Sequence, residues 1–480
     1  MKRFMLLLAF LISVGTSVWG QEEPSTSREV DLTVTGSETA KSLSSALGEN
    51  TNNITHLTIK GPLTAEDFAT LKSMSMLQVL DMGEVSDLPK ESITIEGDTK
   101  ERNIIPQATF ENNYKLSKVV LPQCVELLQY RAFGTCTSLG TIDFSKATEL
   151  KEIGACAFSK CSSLSLVDLS NCTKLVTIYS EAFAACNNLK EINLSACTKL
   201  KTIGSTAFSS CSLLDKVDLT NCSALSSIGN GAFSSCKALS SFIVVGCTAL
   251  SEINERAFWA CEALNDFGFQ SLSQLKSIGI SAFASTGLNG TIVFGTGLQQ
   301  IGNYAFENTG IEVVDFTACT ALSSISMLSL RLPELKEIKI NNQAYLSDDG
   351  ILYNKEETEL IYYPANKEGT EFRIPNTVAV IGSEAFYLMK HLKQITVPYS
   401  VTSIGERAFG DAYNRLSVIF ENPTPIGLPH DIGLDEALVY VPKGSLESYQ
   451  RTAVWQNYTL IETGAEGTSV VLETAGSLGG

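Results

Sequence analysis

The stretch from Ala196 to Cys222, ACTKLKTIGSTAFSSCSLLDKVDLTNC, contains one full period of a repeat that dominates the chain. Its hexapeptide IGSTAF belongs to a series of the form I-G-x-x-A-F. Copies end every 25 residues at Phe133, Phe158, Phe183, Phe208, Phe233, Phe258 and Phe283, and further copies end at Phe110, Phe306, Leu330, Phe386 and Phe409. A fixed period of this length is typical of a repeat array, in which each unit buries its apolar face only against its neighbours.

Short runs rich in β-forming residues lie between the hexapeptides, for example LKEINL from Leu189 to Leu194. The spacing L-x-x-I-x-L-x-x-C-x-x-L-x-x-I from Leu189 to Ile203 matches the leucine-rich repeat signature. It predicts an α/β repeat solenoid, a leucine-rich repeat horseshoe with one parallel strand per coil of 23–25 residues and caps at both ends. Gly204 is expected to permit a turn with positive φ, and Ala207-Phe208 to start a short convex helix.

The cysteines fall into two columns that follow the same period. One column lies just after each strand and the other three residues after each Phe: Cys124, Cys172, Cys197, Cys222, Cys247 and Cys319 form the first, and Cys136, Cys161, Cys186, Cys211, Cys236 and Cys261 form the second. A strand of about six residues separates the columns by roughly 17 Å, which excludes a metal site that mixes them. Stacked coils point their Cβ atoms the same way, so we expect buried free thiols that act as small hydrophobes. Disulfides or a metal within one column are the alternative.

The first twenty residues, MKRFMLLLAFLISVGTSVWG, have the pattern of a signal peptide cleaved near Gly20. This pattern predicts a secreted, periplasmic or cell-surface protein without membrane insertion, since no segment has the length of about 20 apolar residues that spans a bilayer. The chain has 35 basic and 52 acidic residues and a net charge of −17. Such acidity argues against nucleic acid and anionic membranes as partners.

Several segments resemble the BspA-like leucine-rich repeat family of bacterial secreted and surface proteins. They are IGSTAFSSCSLLDKVDL, IGNGAFSSCKALSSF and IGERAF, the last preceded by VPYSVTSIG. YLSDDGILYNKEETELIYYP, from Tyr345 to Pro364, and VYVPKGSLESYQ, from Val439 to Gln450, are similar to further features of that family. The resemblance covers roughly residues 50–460. It implies exposure at the surface, adhesion to host matrix proteins or other cells in some members, and no shared catalytic residues.

The chain is expected to divide into consecutive segments. Residues 1–20 are the signal peptide, 21–103 an N-terminal cap with irregular repeats, 104–343 regular repeats, 344–373 a β-hairpin-like insertion, 374–420 further repeats and 421–480 a C-terminal cap and tail. The hairpin should turn at Asp349-Gly350. In the first cap, Thr64 and Asp67 predict the capping box of an amphipathic helix.

No pattern of catalytic residues is apparent. The chain has three histidines, His56, His391 and His430, and no HExxH, GxSxG, CxxC or phosphate-loop sequence. Asp348-Asp349-Gly350 is better interpreted as a turn than as a calcium loop, because the later ligands do not follow at the required spacing. The sequence therefore predicts no enzyme activity, no cofactor and no metal.

The candidate binding residues lie on the outward face of the predicted strands. They are Asp143, Asp168, Asn193 and Asp218, followed two positions later by Ser145, Ser170, Ser195 and Thr220. Like charges stacked about 5 Å apart destabilise a sheet, so a file of them suggests recognition of a basic peptide, a cation or sugar hydroxyls. The alternative is that each side chain satisfies local hydrogen bonds at its strand end.

Together these features predict a secreted or cell-surface binding or adhesion protein. Its solenoid surface would be presented to a protein or glycan ligand, host matrix proteins included. The alternative function is a structural surface spacer without a defined ligand.

Overall fold

The computed structural model describes residues 27–32, 42–95, 98–410, 416–428 and 430–464. The predicted signal peptide and the tail after residue 464 lie outside the described residues. The described chain forms a parallel β-solenoid, as the repeat predicted. Strand pairs in adjacent coils are offset by 25 residues, as in Val167 with Ile192 and Ile192 with Val217.

One column of strands carries the candidate aspartates, and we call it the Asp-bearing column. It consists of four sheets in succession along the solenoid. Their strands are Ser27–Asp31, His56–Pro62, Val79–Asp87, Lys118–Val120 and Thr141–Asp143; then Leu166–Asp168, Glu191–Asn193, Lys216–Asp218 and Ser241–Ile243; then Asn289–Val293, Gly310–Asp315 and Glu337–Lys339; and finally Glu371–Arg373, Gln394–Val397, Ser417–Phe420, Leu438–Val441 and Thr459–Glu462.

A second column of strands, which the sequence did not predict, ends in most coils at the first residue of the hexapeptide, as at Ile178 and Ile203. It contains one sheet of 11 strands and one of five. The first has Lys90–Ile95, Asp98–Ile105, Leu127–Leu128, Glu152–Ile153, Thr177–Ile178, Thr202–Ile203, Ser227–Ile228, Glu252–Ile253, Ser277–Ile278, Gln300–Ile301 and Ser324–Ile325, and the second has Tyr345–Asp348, Ile351–Asn354, Glu359–Tyr362, Val380–Ile381 and Ser403–Ile404. Most coils therefore carry two strands instead of one. Strands of two residues are too short to give a periodic signal in the sequence.

The prediction of short convex helices at Ala207-Phe208 and its equivalents is wrong. These segments are turns, apart from the degenerate copy, which contains the 3-10 helix Met327–Ser329. Thr206 and Ser210 have φ of 52° and 62°. The N–H groups of Thr206, Phe208 and Ser210 donate to the carbonyls of Asn230, Ala232 and Ser234 in the next coil, at 2.8, 2.7 and 2.8 Å. The positive φ at Thr206 and Ser210 lies outside the right-handed helical region, so the chain between them forms a turn that is held by bonds to the next coil.

The helices that do occur lie in the caps and at two irregular coils. The α-helices are Leu43–Leu47, Ala65–Ser73 and Leu446–Gln450, and the 3-10 helices are Gly48–Asn53, Phe269–Ser271, Met327–Ser329 and Trp455–Asn457. The predicted capping box is confirmed, since Thr64 Oγ1 accepts from the Asp67 N–H at 3.3 Å and Asp67 Oδ2 accepts from the Thr64 N–H at 2.8 Å.

Gly204 is required for a different reason from the one predicted. Its φ is not in the left-handed region. A Cβ at this position would lie 2.6 Å from the carbonyl carbon of Tyr179 and 2.7 Å from the nitrogen of Ser180. The close approach of two coils therefore demands glycine.

The repeated phenylalanines form a stack along the core. Phe208 is fully buried, and its ring centroid lies 5.2 Å from that of Phe183 and 5.1 Å from that of Phe233. Tyr363 extends the stack next to Phe386, with 5.5 Å between the ring centroids. It follows the last strand of the hairpin and takes the position that phenylalanine has in the other coils. The hairpin itself turns at Asp349 and Gly350, whose φ values of 45° and 76° suit the twist of antiparallel strands.

All 13 cysteines are free, and all except the half-buried Cys124 are buried, as predicted for small hydrophobes. In the second column each thiol also donates to the carbonyl of the Phe one coil earlier. The sulfur–oxygen distances for Cys136, Cys161, Cys186, Cys211, Cys236 and Cys261 are 3.0, 3.2, 3.2, 3.1, 3.1 and 3.1 Å. The thiols thus give a second hydrogen bond to carbonyls that already accept from a backbone N–H, as Phe183 does from Cys186 at 3.3 Å.

Candidate functional site

The predicted site residues lie in one file on the outward surface of the Asp-bearing column. Asp168, Asn193 and Asp218 are register partners in adjacent strands, and Asp143 occupies the same position at the edge of the preceding sheet. Each is the last residue of its strand. Its side chain faces outward, because the residue before it faces the core and successive residues of a strand alternate between the two faces.

Each side chain of the file accepts a hydrogen bond from the backbone two residues later. The Oδ1 atoms of Asp143, Asp168, Asn193 and Asp218 accept from the N–H groups of Ser145, Ser170, Ser195 and Thr220 at 2.8, 3.0, 3.1 and 3.0 Å. The same bond joins Asp315 to Thr317 at 2.9 Å. This geometry is an Asx turn, which closes the strand and starts the loop that follows. The side chains of the file therefore have a structural role, because each one stabilises the turn that follows its strand.

Asp143 is electrostatically distinct within the file. Its hydrogen bonds with Ser145 lower the pKa of the carboxyl group, and the nearby Lys118 and Lys146 lower it further, while partial burial opposes them. Asp143 is thus firmly ionised at neutral pH.

The Asp-bearing column is interrupted between Asp143 and Asp168. One sheet ends at Thr141–Asp143 and the next begins at Leu166–Asp168, whereas the second strand column continues across the same two coils. The interruption opens a cleft of about 350 Å³. It is lined by Lys118, Gly140, Thr141, Ile142, Asp143, Phe144, Ser145, Ser165, Leu166, Asp168 and Asn171.

Backbone hydrogen bonds are missing at the base of this cleft. In the neighbouring coils the residue after the strand donates to the next coil, as Leu121 does to Asp143 at 3.1 Å and Leu169 to Asn193 at 3.0 Å. Within the described residues, the equivalent donor Phe144 N–H has no such bond to the carbonyl of Asp168. Because Phe144 is only 1% exposed, its N–H is a nearly buried donor that lacks the bond made by its equivalents in the neighbouring coils.

The cleft brings together three of the eight candidates, Asp143, Ser145 and Asp168. The remaining ones, Ser170, Asn193, Ser195, Asp218 and Thr220, are not part of its lining. Sequence reasoning missed Lys118 and Leu166. Leu166 could have been noticed, since it is an apolar residue in an outward slot where the next coils have Glu191 and Lys216, and it is 51% exposed.

A second, smaller cleft lies further along the same column. Its volume is about 110 Å³, and it borders the irregular coil in which residues 266–268 form no strand and are followed by the 3-10 helix Phe269–Ser271. Asp266 lies in this coil and accepts from the Gly268 N–H at 3.2 Å. Both clefts thus occur where the Asp-bearing column loses its regular pairing.

The described part of the chain contains no group of three or more His, Cys, Asp or Glu side chains arranged to hold a metal ion. His56 and His391 instead contact Thr55 and Asn366, in different parts of the solenoid.

The repeats match a protein-family model that is described as the BspA type leucine-rich repeat region. The matched segments are residues 103–240, 201–329, 251–368 and 362–426, which together span more than half of the chain. The chain belongs to the BspA-type leucine-rich repeat family. No curated protein matches the chain.

Solved structures of leucine-rich repeat proteins are similar to this chain. A leucine-rich repeat protein from Bacteroides ovatus is 24% identical, with a TM-score of 0.54, over 77% of this chain and 90% of that one. One from Eubacterium ventriosum is 23% identical, with a TM-score of 0.36, over 57% and 68%. A leucine-rich cell surface protein from Faecalibacterium prausnitzii is 23% identical, with a TM-score of 0.27, over 78% and 86%. The first of these supports the leucine-rich repeat fold.

The longest α-helix in the described residues of this BspA-type chain is Ala65–Ser73, with nine residues. None of the helices in its described residues is long and apolar enough to cross a bilayer.

Proposed function

We propose that this chain is a non-enzymatic binding or adhesion protein, secreted or held at the cell surface, whose ligand is a protein or glycan. The observation that carries the proposal is the cleft at the interruption between Asp143 and Asp168. It combines a cavity of about 350 Å³ with polar side chains and unpaired backbone groups. Concave sites with a few convergent polar groups are the usual form of binding sites.

Membership of the BspA-type family supports the repeat-scaffold part of this proposal. In a solenoid the stacked coils give a continuous surface, on which a ligand contacts side chains from several repeats. The exposed leucine in the cleft gives such a surface an apolar contact within a polar rim, the composition that recognition sites share.

The test is a screen of the chain from residue 21 onward against host matrix proteins and a glycan array. Thr141→Trp should block binding, because Thr141 is exposed and lines the cleft. Ser241→Trp is the matched control, since Ser241 has the same slot in its coil but is not part of the cleft lining. A ligand lost in the first variant and retained in the second would support the proposal.

Localisation needs a separate measurement. Protease treatment of intact cells that produce the full chain should degrade it, and its N-terminus should begin near Gln21. A protein that stays protected inside the cell would contradict the proposed location.

A structural spacer is the second candidate, favoured by the local bonding of the file. The Asx turns account for Asp168 and Asp218 without any ligand. Ion pairs between adjacent coils, such as Lys174 with Glu149 at 2.5 Å and Lys216 with Glu191 at 2.8 Å, add to this stiffening pattern. If no ligand in the screen is sensitive to Thr141→Trp, the spacer becomes the better account.

A further inference from the structure

We propose that the cleft between Asp143 and Asp168 binds a basic side chain, arginine or lysine, from a protein partner. This inference rests on the proposed binding function and specifies the chemistry of the occupant. The juxtaposition that carries it is two carboxylates, an exposed leucine and unpaired backbone carbonyls in one cavity.

The charges of the lining favour a cation. Its ionisable side chains are Lys118, Asp143 and Asp168, which give one net negative charge. Lys118 lowers the pKa of Asp143, and its positive charge offsets part of the negative charge of that carboxylate. Asp168 is exposed, and its register partner is the neutral Asn193. The chain as a whole has a net charge of −17, which attracts a basic segment over a longer range.

The apolar part of the lining fits the stem of such a side chain. Arginine and lysine bury their methylene groups along apolar surface while the charged head finds polar partners. Leu166 is 51% exposed and lies two residues before Asp168 in the same strand, on the same outward face. A stem packed on Leu166 would therefore place its head near the carboxylate of Asp168.

The backbone supplies acceptors at the base of the cleft. Within the described residues, the carbonyl of Asp168 receives no bond from Phe144, and the carbonyl of Gly140 receives none from Ser165. The guanidinium of arginine has five N–H donors and so can use a carboxylate and a carbonyl at once.

The lining is less suited to a sugar ring. Carbohydrate-like rings, which present flat C–H faces, favour contact with exposed aromatic rings. The aromatic residue of this lining, Phe144, is 1% exposed.

The test selects ligands from a random peptide library displayed on phage, with the chain from residue 21 as bait. Selected peptides should be enriched in arginine or lysine. Replacing that residue by citrulline, a neutral analogue of arginine, should weaken binding about tenfold or more. The double variant Asp143→Asn, Asp168→Asn should weaken binding of the basic peptide by a similar factor.

The matched control is the double variant Asp218→Asn, Asp315→Asn. It removes the same two charges from the same type of turn, in which Thr220 and Thr317 donate at 3.0 and 2.9 Å, but outside the cleft. It should weaken binding about twofold at most, through the general field. Equal losses in the two double variants would overturn the inference, because a diffuse attraction to an acidic protein would explain them.

Two further outcomes separate this inference from the proposed function. Ligands that Thr141→Trp blocks but the cleft double variant leaves unchanged, neutral glycans among them, would overturn the basic-residue assignment and leave the binding function intact. If no peptide or glycan ligand is sensitive to Thr141→Trp, the proposed function itself fails.

Discussion

The thiol of Cys211 donates its hydrogen to the carbonyl oxygen of Phe183, one coil earlier, across 3.1 Å. The acceptor is buried between two coils, where water cannot replace the donor. A cysteine in this column therefore combines the volume of a small hydrophobe with a hydrogen bond that alanine cannot make. Because the Phe183 carbonyl still accepts from the Cys186 N–H at 3.3 Å, we expect Cys211→Ala to lower the free energy of unfolding by about 0.5–1.5 kcal/mol, as measured by urea denaturation.

Cys172→Ala is the control for that experiment. Cys172 is buried in the other column, where Ala147 already occupies the equivalent slot one coil earlier. Its thiol has no carbonyl acceptor in the described part of the chain. If Cys172→Ala lowered the free energy of unfolding as much as Cys211→Ala does, packing and not the hydrogen bond would explain the effect of Cys211→Ala.

The buried thiols should make the protein less stable at high pH. Burial raises the pKa of Cys211 and Cys261 from the ordinary value of 9.0 to about 12. Above pH 9 the unfolded thiols release protons while the folded ones keep them, so stability falls as pH rises toward 12. At pH 10 the loss is about 1.4 kcal/mol for each such thiol. The variant Cys211→Ala, Cys261→Ala should therefore show a shallower decline of the urea midpoint between pH 8 and 10.

This prediction requires reduced cysteines. Alkylation after denaturation, without a reductant, should modify all 13. Two or more cysteines that resist would indicate disulfides, and the pH argument would then not apply.

The phenylalanine stack should be most sensitive at its centre. Phe208 contacts rings on both sides, so Phe208→Ala should cost about 3–5 kcal/mol. Since each coil depends on its neighbours, hydrogen exchange should accelerate around residues 180–235 before it does in the caps. Phe208→Leu, which places in this slot the residue found at Leu330, should cost less. Unchanged exchange in Phe208→Ala would contradict the stacking argument.

The close approach at Gly204 predicts a large effect of a single methyl group. Gly204→Ala would place a Cβ 2.6 Å from the carbonyl carbon of Tyr179, so two backbones must separate. We expect a clear fall in melting temperature, because overpacking costs about 1–3 kcal/mol. Gly140→Ala is the control, since its Cβ would meet its first neighbour, the carbonyl of Ser163, at 3.7 Å. Equal melting temperatures for the two variants would refute the steric reason.

The Asx turns predict that asparagine, but not alanine, can replace aspartate. Asn193 already accepts from Ser195 at 3.1 Å in the same file, so Asp218→Asn should leave the melting temperature nearly unchanged. Asp218→Ala removes the acceptor and should cost about 0.5–1.5 kcal/mol. Thermal melts at low and high salt would separate this bond from charge repulsion, since salt screens only the latter. A stabilising Asp218→Ala would mean that repulsion in the file outweighs the turn.

The repeat itself was predictable because the buried side chains occur at fixed sequence spacings within each coil. Phe208 and Cys211 recur at fixed spacing, and both are buried as the pattern indicated. The turn around Thr206 was not predictable in this way, since its N–H bonds to Asn230 in the next coil and sequence spacing within a coil carries no information about that bond.

The cleft was harder still to predict. The coils that contain Asp143 and Asp168 have nearly the same pattern, and the site depends on a hydrogen bond that is lost between them. The file of aspartates could be found from the sequence, but its division into a cleft and a continuous sheet could not. Leu166 is the one local signal of that division, as an apolar side chain in an outward slot.

The regular strands between the two clefts have a consequence for how such a chain can change during evolution. From Leu166–Asp168 to Ser241–Ile243 the strands pair in uniform register, and each adds about 4.8 Å along the stack. Duplication or deletion of one coil of 25 residues here would keep every remaining contact and shift one cleft relative to the other by that single step. The number of coils would then set the distance between the two clefts. That distance could change to match the spacing of two contact points on a partner, while the residues that line each cleft stay the same.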